Sequence, residues 1–149
     1  QLGESFLSLF TSGEEVREQE RANLEDAQRI LEQFEIGHLA TQPATDLSGG
    51  QMKLVELARA MLAEPEVLLL DEPVAGVNPT LANKLREHIA RLNEQGVTFC
   101  IIEHDMEFIM NLADPIIVLD QGSVLVEGTP DAVRNDDRVI DAYLGGPGE

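Results

Sequence analysis

The stretch Thr45–Pro73, "TDLSGGQMKLVELARAMLAEPEVLLLDEP", decides how the rest of this chain is read. Ser48, Gly49 and Gly50 stand directly before a helical pattern with Leu54, Ala58, Met61 and Leu62 on one side and Pro65 beyond its end. Glycines without a Cβ let the backbone approach an anion closely, and a helix opening at Gln51 adds its N–H groups and positive dipole end. Ser48 contributes a hydroxyl donor. Taken alone, Ser-Gly-Gly is equally an ordinary helix N-terminal turn. "VLLL" at 67–70 has no polar alternation, the pattern of a strand covered on both faces, and it ends at once on Asp71, Glu72 and Pro73. An Asp in that place can hold Mg²⁺, usually through water, and a Glu one residue on can orient or deprotonate an attacking water.

Working outward toward the carboxyl end, Asn78 is placed to cap a helix with Pro79 at its first position. Leu81, Leu85, Ile89 and Leu92 form the buried stripe of that helix before Gly96. "VTFCII" at 97–102 is a second continuously apolar strand, and Cys100 within it is expected in the core. Strand, helix and strand at this length make a crossover between parallel strands. Ligands sit beyond the carboxyl ends of such strands, where the second strand delivers Glu103 and His104. His38 and His88 lack that setting and are expected to be structural or exposed. A short helix over 106–112 leads to "PIIVLDQGSVLVEG", two strand-like runs separated by "DQGS", which predicts an antiparallel hairpin. "TPDAVRN" and "RVIDAYL" are short helical segments, and "GGPGE" is expected to fray. Toward the amino end, Leu24, Ala27, Leu31 and Phe34 recur at helical spacing over 14–34, with Gly37 as the stop and "TQPAT" as a loop.

The 149 residues are enough for one core, and 43% of them are hydrophobic. With 28 acidic and 10 basic residues the formal charge is −18, which repels nucleic acid and anionic lipid. No nucleic-acid partner is therefore expected. Lys53 and Lys84 are the only lysines, and so acidic a surface fits either a high-salt setting, where self-repulsion is screened, or an ordinary acidic protein. One cysteine excludes an internal disulfide, and no apolar run has the length of a membrane span.

With these residues in place, the chain resembles the nucleotide-binding subunit of ATP-binding-cassette (ABC) transporters over residues 14 to 130. "LSGGQ" matches the family signature, "VLLLDEP" the Walker B strand with its catalytic glutamate, "AGVNP" the D-loop, and "IIEHD" the segment with the switch histidine. "DEPVAGVNP", "IEHDMEFIMNLAD" and "VLVEGTPDAVRNDDRVIDAYLGG" are most similar to ATPases of branched-chain amino-acid importers. The fold implied is α/β: a helical lobe plus the carboxyl-terminal half of a P-loop NTPase-like parallel sheet, with an antiparallel hairpin at its edge. The expected division is 1–65, ending in the signature helix, and 66–149, the carboxyl-terminal part of the ATPase core.

The resemblance implies ATP and Mg²⁺ as cofactors, with Asp71 coordinating the metal through water, Glu72 as general base and His104 on the γ-phosphate. It implies that Ser48, Gly49, Gly50 and Gln51 contact ATP held by the opposite subunit of a head-to-tail dimer. Asn78 stands where the family usually carries Asp and would make inter-subunit contacts. Transmembrane permease subunits would be the other partners, with the protein cytoplasmic and peripheral on the inner face of the membrane.

One motif of the family is absent. A P-loop needs Gly-Lys-Ser or Gly-Lys-Thr, whereas Lys53 follows Met52 and Lys84 follows Asn83. No adenine-stacking region and no Q-loop glutamine are recognisable either. The chain is thus expected to be inactive alone and to self-associate through an uncovered sheet edge and apolar face. Two other classes compete with the importer reading. A non-hydrolysing interaction module would have no need of Glu72 and His104, and a soluble DNA-repair or translation ATPase would carry a basic patch or long coiled-coil flanks.

Overall fold

A computed structural model describes residues 13–143; the end expected to fray lies outside them. The chain divides into two compact units, with the boundary between Leu68 and Leu69.

The first unit holds helix α1 (Gly13–Gln33), two 3₁₀ turns at Gly37–Leu39 and Ala44–Asp46, and helix α2 (Gly49–Met61) packed against α1. Phe34, Ile36, Leu39, Leu54, Leu57 and Ala58 form its buried core. The stripe expected on α1 is buried only at its carboxyl end. Leu24 is 70% exposed while Phe34 is 1% exposed, because α1 outruns the elements that cover it. On α2, Leu57 takes the core position expected of Leu62, which lies at the helix end and is exposed.

Gly37 is not what stops α1. The chain reverses at Glu35, which adopts φ 59°, and the Glu35 and Ile36 amides donate back to the Glu32 and Leu31 carbonyls at 3.0 and 2.9 Å. This pair of bonds satisfies the last helical carbonyls, with a glutamate in the left-handed position that glycine usually takes. The same device closes helix α3 (Pro79–Glu94) through Gly96 at φ 104°, with the Gly96 and Val97 amides on the Asn93 and Leu92 carbonyls.

The second unit holds the strands and the hairpin. Strand β1 (Val67–Asp71) begins at the boundary and pairs with β2 (Thr98–Ile102), and α3 makes the crossover between these parallel strands. Helix α4 (Met106–Met110) then leads into β3 (Ile116–Asp120), antiparallel to β4 (Ser123–Gly128). Asp120 pairs with Ser123 across a two-residue turn in which Gln121 and Gly122 both have positive φ, 45° and 79°. Positive φ at both central residues twists the turn the way the strands twist, so the hairpin expected at "DQGS" closes there. A register shift between Val118 and Leu119 bends it. Helices α5 (Pro130–Arg134) and α6 (Asp137–Tyr143) follow. Ile109, Met110, Ile116, Val118, Val133 and Val139 form the buried cluster, with Val133 and Val139 fully enclosed. Each stabilises the fold by roughly 1.5–3 kcal/mol relative to an exposed side chain.

The β1–β2 pair departs from expectation in one respect: its strands are covered on one face only. Side chains alternate between half-buried and exposed along both strands, so Leu69 and Ile102 are 73% and 62% exposed. Cys100, expected in the core, shares the exposed face of β2 with Thr98 and Ile102. Uninterrupted apolar runs signal strands whose sequence suits two covered faces. Among the described residues, elements cover only one.

Candidate functional site

Two groups of residues carry the chemistry, one in each unit. In the first, Ser48 caps α2: its hydroxyl oxygen accepts from the Gln51 amide at 3.3 Å, and its own amide donates to Gln51 Oε1 at 2.8 Å. This reciprocal pair is a capping box, and it starts the helix at Gly49, two residues earlier than expected. The box explains Ser48 and Gln51 locally. It does not explain Gly49. That glycine has no positive φ, and a Cβ added to it would meet nothing within 4 Å. Among the described residues, neither strain nor crowding requires glycine there. The open space leaves room for close approach to amides that a helix start leaves without an intrahelical acceptor. The hydroxyl of Ser48, accepting from Gln51, still has its own O–H to donate.

The second group lies at the carboxyl ends of β1 and β2. Asp71 is the exposed last residue of β1. Glu72 follows at φ 45°, and its amide donates to the Ile102 carbonyl at 2.9 Å, extending the strand pairing by one bond. A left-handed non-glycine residue costs roughly 1–2 kcal/mol of backbone strain. Such strain persists only where the surroundings fix it, and it clusters at functional positions. The turn that follows is tight: Ala75 donates to the Glu72 carbonyl and Val77 to the Val74 carbonyl, both at 3.1 Å, with Gly76 at φ 71°. Asn78 then caps α3, its Oδ1 accepting from the Leu81 amide at 3.0 Å with Pro79 next in line, as its sequence position suggests.

The two strand ends meet. His104 Nδ1 lies 3.2 Å from Glu72 Oε1 and 4.0 Å from Glu103 Oε2. Glu72 and His104 both remain open to solvent, whereas the Glu103 side chain is 1% exposed. Asp105 caps α4 through the Phe108 amide at 2.9 Å and holds the base of the His104 loop. Asp71, Glu72, Asn78 and His104 are thus carried on one unit, with Ser48, Gly49, Gly50 and Gln51 on the other. His88 is buried in α3, with Arg91 Nη2 3.2 Å from its Nδ1, and His38 is exposed; neither belongs to this group.

The family described as "ABC transporter" matches residues 4–75, and the family described as "Branched-chain amino acid ATP-binding cassette transporter" matches residues 123–149. The chain belongs to the ATP-binding-cassette family. It is 42% identical to the probable branched-chain amino acid transport ATP-binding protein LivG of Archaeoglobus fulgidus, over 90% of this chain and 52% of that protein. It is 40% identical to the high-affinity branched-chain amino acid transport ATP-binding protein BraF of Pseudomonas aeruginosa, over 97% of this chain and 57% of that protein. The ADP conformation of MJ1267, an ATP-binding cassette of an ABC transporter, superimposes with a TM-score of 0.75 at 40% identity, over 82% of this chain and 50% of that one. The chain spans about half the length of the curated relatives it matches.

As a cassette protein, the chain departs from the sequence-based reading at Glu103. The sequence places this residue at a strand end beside His104; its burial and its bonds to backbone amides become visible only in the fold. Among the described residues no three carboxylate, histidine or cysteine side chains are grouped to hold a metal by themselves, and no helix is long and apolar enough to cross a membrane.

Proposed function

We propose that the chain forms part of the ATP-binding and ATP-hydrolysing subunit of an ABC importer, for branched-chain amino acids, coupling hydrolysis to transport. The observation that carries this reading is the contact between Glu72 and His104 at the ends of two paired strands, 3.2 Å apart and both open to a ligand. A P-loop is needed beside them, and it is supplied from outside these 149 residues, since no Gly-Lys-Ser or Gly-Lys-Thr occurs within them. The isolated chain is therefore inactive.

In this reading Glu72, with its backbone held at φ 45° and its side chain open to solvent, orients the attacking water and takes its proton. His104 turns Nδ1 to Glu72, which leaves Nε2 on the other side of the ring for the γ-phosphate. Donating from both nitrogens at once requires the protonated ring. Mg²⁺ takes few protein carboxylates when phosphate oxygens and water complete its shell, so one exposed Asp71 beside a nucleotide fits it. When held there, Mg²⁺ would neutralise charge developing on the phosphates.

Ser48, Gly49, Gly50 and Gln51 serve the ATP of a second subunit in a head-to-tail dimer, and Asn78 lies at the junction between subunits. The reading makes the protein peripheral to the cytoplasmic face of the membrane, docked on permease subunits, with the divisions 1–65 and 66–149 as its helical and core parts.

Gly49 offers a test that separates ligand approach from folding. In a hybrid that places the P-loop half of the Archaeoglobus fulgidus relative before these residues, Gly49→Ala is expected to keep or slightly raise thermal stability, because alanine is the better helix former. ATP hydrolysis is expected to fall by roughly tenfold or more, as when a reacting group is displaced by about an ångström. Unchanged hydrolysis in Gly49→Ala would remove the signature turn from the proposed site.

A further inference from the structure

We propose that Glu103 is a positioning residue that holds Glu72 and His104 in register with each other. The proposal rests on the reading above, in which those two side chains act on ATP, and extends it to a buried residue that bonds to the backbone of both their loops.

The argument starts from cost. A carboxylate whose side chain is 1% exposed is retained only if strong hydrogen bonds replace its water. Glu103 finds them on backbone amides. Its Oε1 accepts from the Val74 amide at 2.9 Å, and its Oε2 accepts from the His104 amide at 3.1 Å and the Asp105 amide at 3.4 Å. Bonds to an ionised acceptor are about twice as strong as neutral ones. The two oxygens thus grip two different loops. Oε1 holds the turn that begins at Glu72, two residues before Val74, and Oε2 holds the loop of His104 itself.

This clamp lies at the point where the backbone is strained. Glu72 is held at φ 45° between its amide bond to Ile102 and the bond on Val74. The Val74 bond ties the turn beyond Pro73 to the end of β2. A glutamine in place of Glu103 keeps one carbonyl oxygen, but its amide group donates and cannot accept. It can hold the Val74 turn or the His104 loop, and not both. An aspartate is one methylene shorter and cannot span the two.

Two measurements test this. In the 149-residue chain, hydrogen exchange at the Val74, His104 and Asp105 amides is expected to be protected, and Glu103→Gln to lose protection at one or more of them. In the hybrid, Glu103→Gln and Glu103→Asp are each expected to lower kcat by roughly ten- to a hundredfold, as loss of an orienting partner typically does, with KM for ATP within about twofold of the parent. A general loss of packing would not produce that split, and Val133→Ala, which opens the core away from the strand ends, is expected to lower stability without lowering kcat. Exchange at the three amides as fast as in unstructured peptide would overturn the proposal without any variant. So would Glu103→Gln with kcat retained in a hybrid whose parent hydrolyses ATP. A parent hybrid that binds Mg-ATP but does not hydrolyse it would instead sink the functional reading on which the proposal rests.

Discussion

Replacing Glu72 by Gln is expected to lower ATP hydrolysis by the hybrid by roughly a hundredfold or more while leaving nucleotide binding intact, the range associated with losing a general base. The variant keeps the shape of the side chain and its ability to meet His104 Nδ1, which lies 3.2 Å from Glu72 Oε1 in the parent, and removes only the capacity to take a proton. A fall in kcat with KM for ATP unchanged marks an interaction made in the transition state. If Glu72→Gln hydrolysed ATP at the parent rate, the base would lie elsewhere, and the strained backbone at this residue would need another explanation.

The second large effect concerns the chain by itself, which is expected to self-associate. Leu69 and Ile102 expose 73% and 62% of their surface on one face of the β1–β2 pair, and Ile117, Leu119 and Val124 are 55%, 54% and 62% exposed on the hairpin. Side chains of this size gain roughly 1.5–3 kcal/mol each on full burial, so two or three of them outweigh modest charge repulsion. The formal charge of −18 opposes association at low salt, and added KCl screens it. Light scattering is expected to show species larger than a monomer, increasing with salt. The double variant Leu69→Lys, Ile102→Lys is expected to weaken association by at least about tenfold, a loss of only about 1.4 kcal/mol. A monodisperse parent monomer at both low and high salt would show that this face is tolerated in water.

The origin of that face bears on what was legible in the sequence. Local rules read well: Asn78 followed by Pro79 announces a helix start, and the structure supplies the Oδ1 cap on Leu81. "DQGS" between two apolar runs announces a hairpin, closed by two residues at positive φ. The order of strand, crossover helix and strand followed from lengths and caps alone. Periodicity, however, reports which face a residue occupies, and not whether anything lies over it. Leu24 on α1 and Cys100 on β2 have core-like patterns and are exposed for that reason. The stop of α1 was misplaced at Gly37 because a left-handed glutamate leaves no compositional mark; Glu35 turns the chain through bonds that form only once the helix exists.

The candidate site divides along the same line. The meeting of Glu72 and His104 was legible because both follow apolar runs that read as neighbouring parallel strands, whose ends lie side by side. Ser48 and Gln51 had a purely structural reading as well, and the capping box shows that reading to be correct as far as it goes. Gly49 is different, since a Cβ there would meet nothing within 4 Å among the described residues. Glu103 was visible as a letter beside His104 and not as a clamp, because its partners are backbone amides as far away in sequence as Val74.

The measurement that bears most directly on the whole account is calorimetric titration of Mg-ATP into the 149-residue chain, in buffer with and without molar KCl. A chain that carries the Ser48–Gln51 turn, the strand-end carboxylates and His104 but no P-loop motif is predicted to give no saturable heat in either condition. Saturable binding at micromolar nucleotide would contradict the account, since ATP would then be held without the lysine and glycine loop on which the proposed division of the site depends.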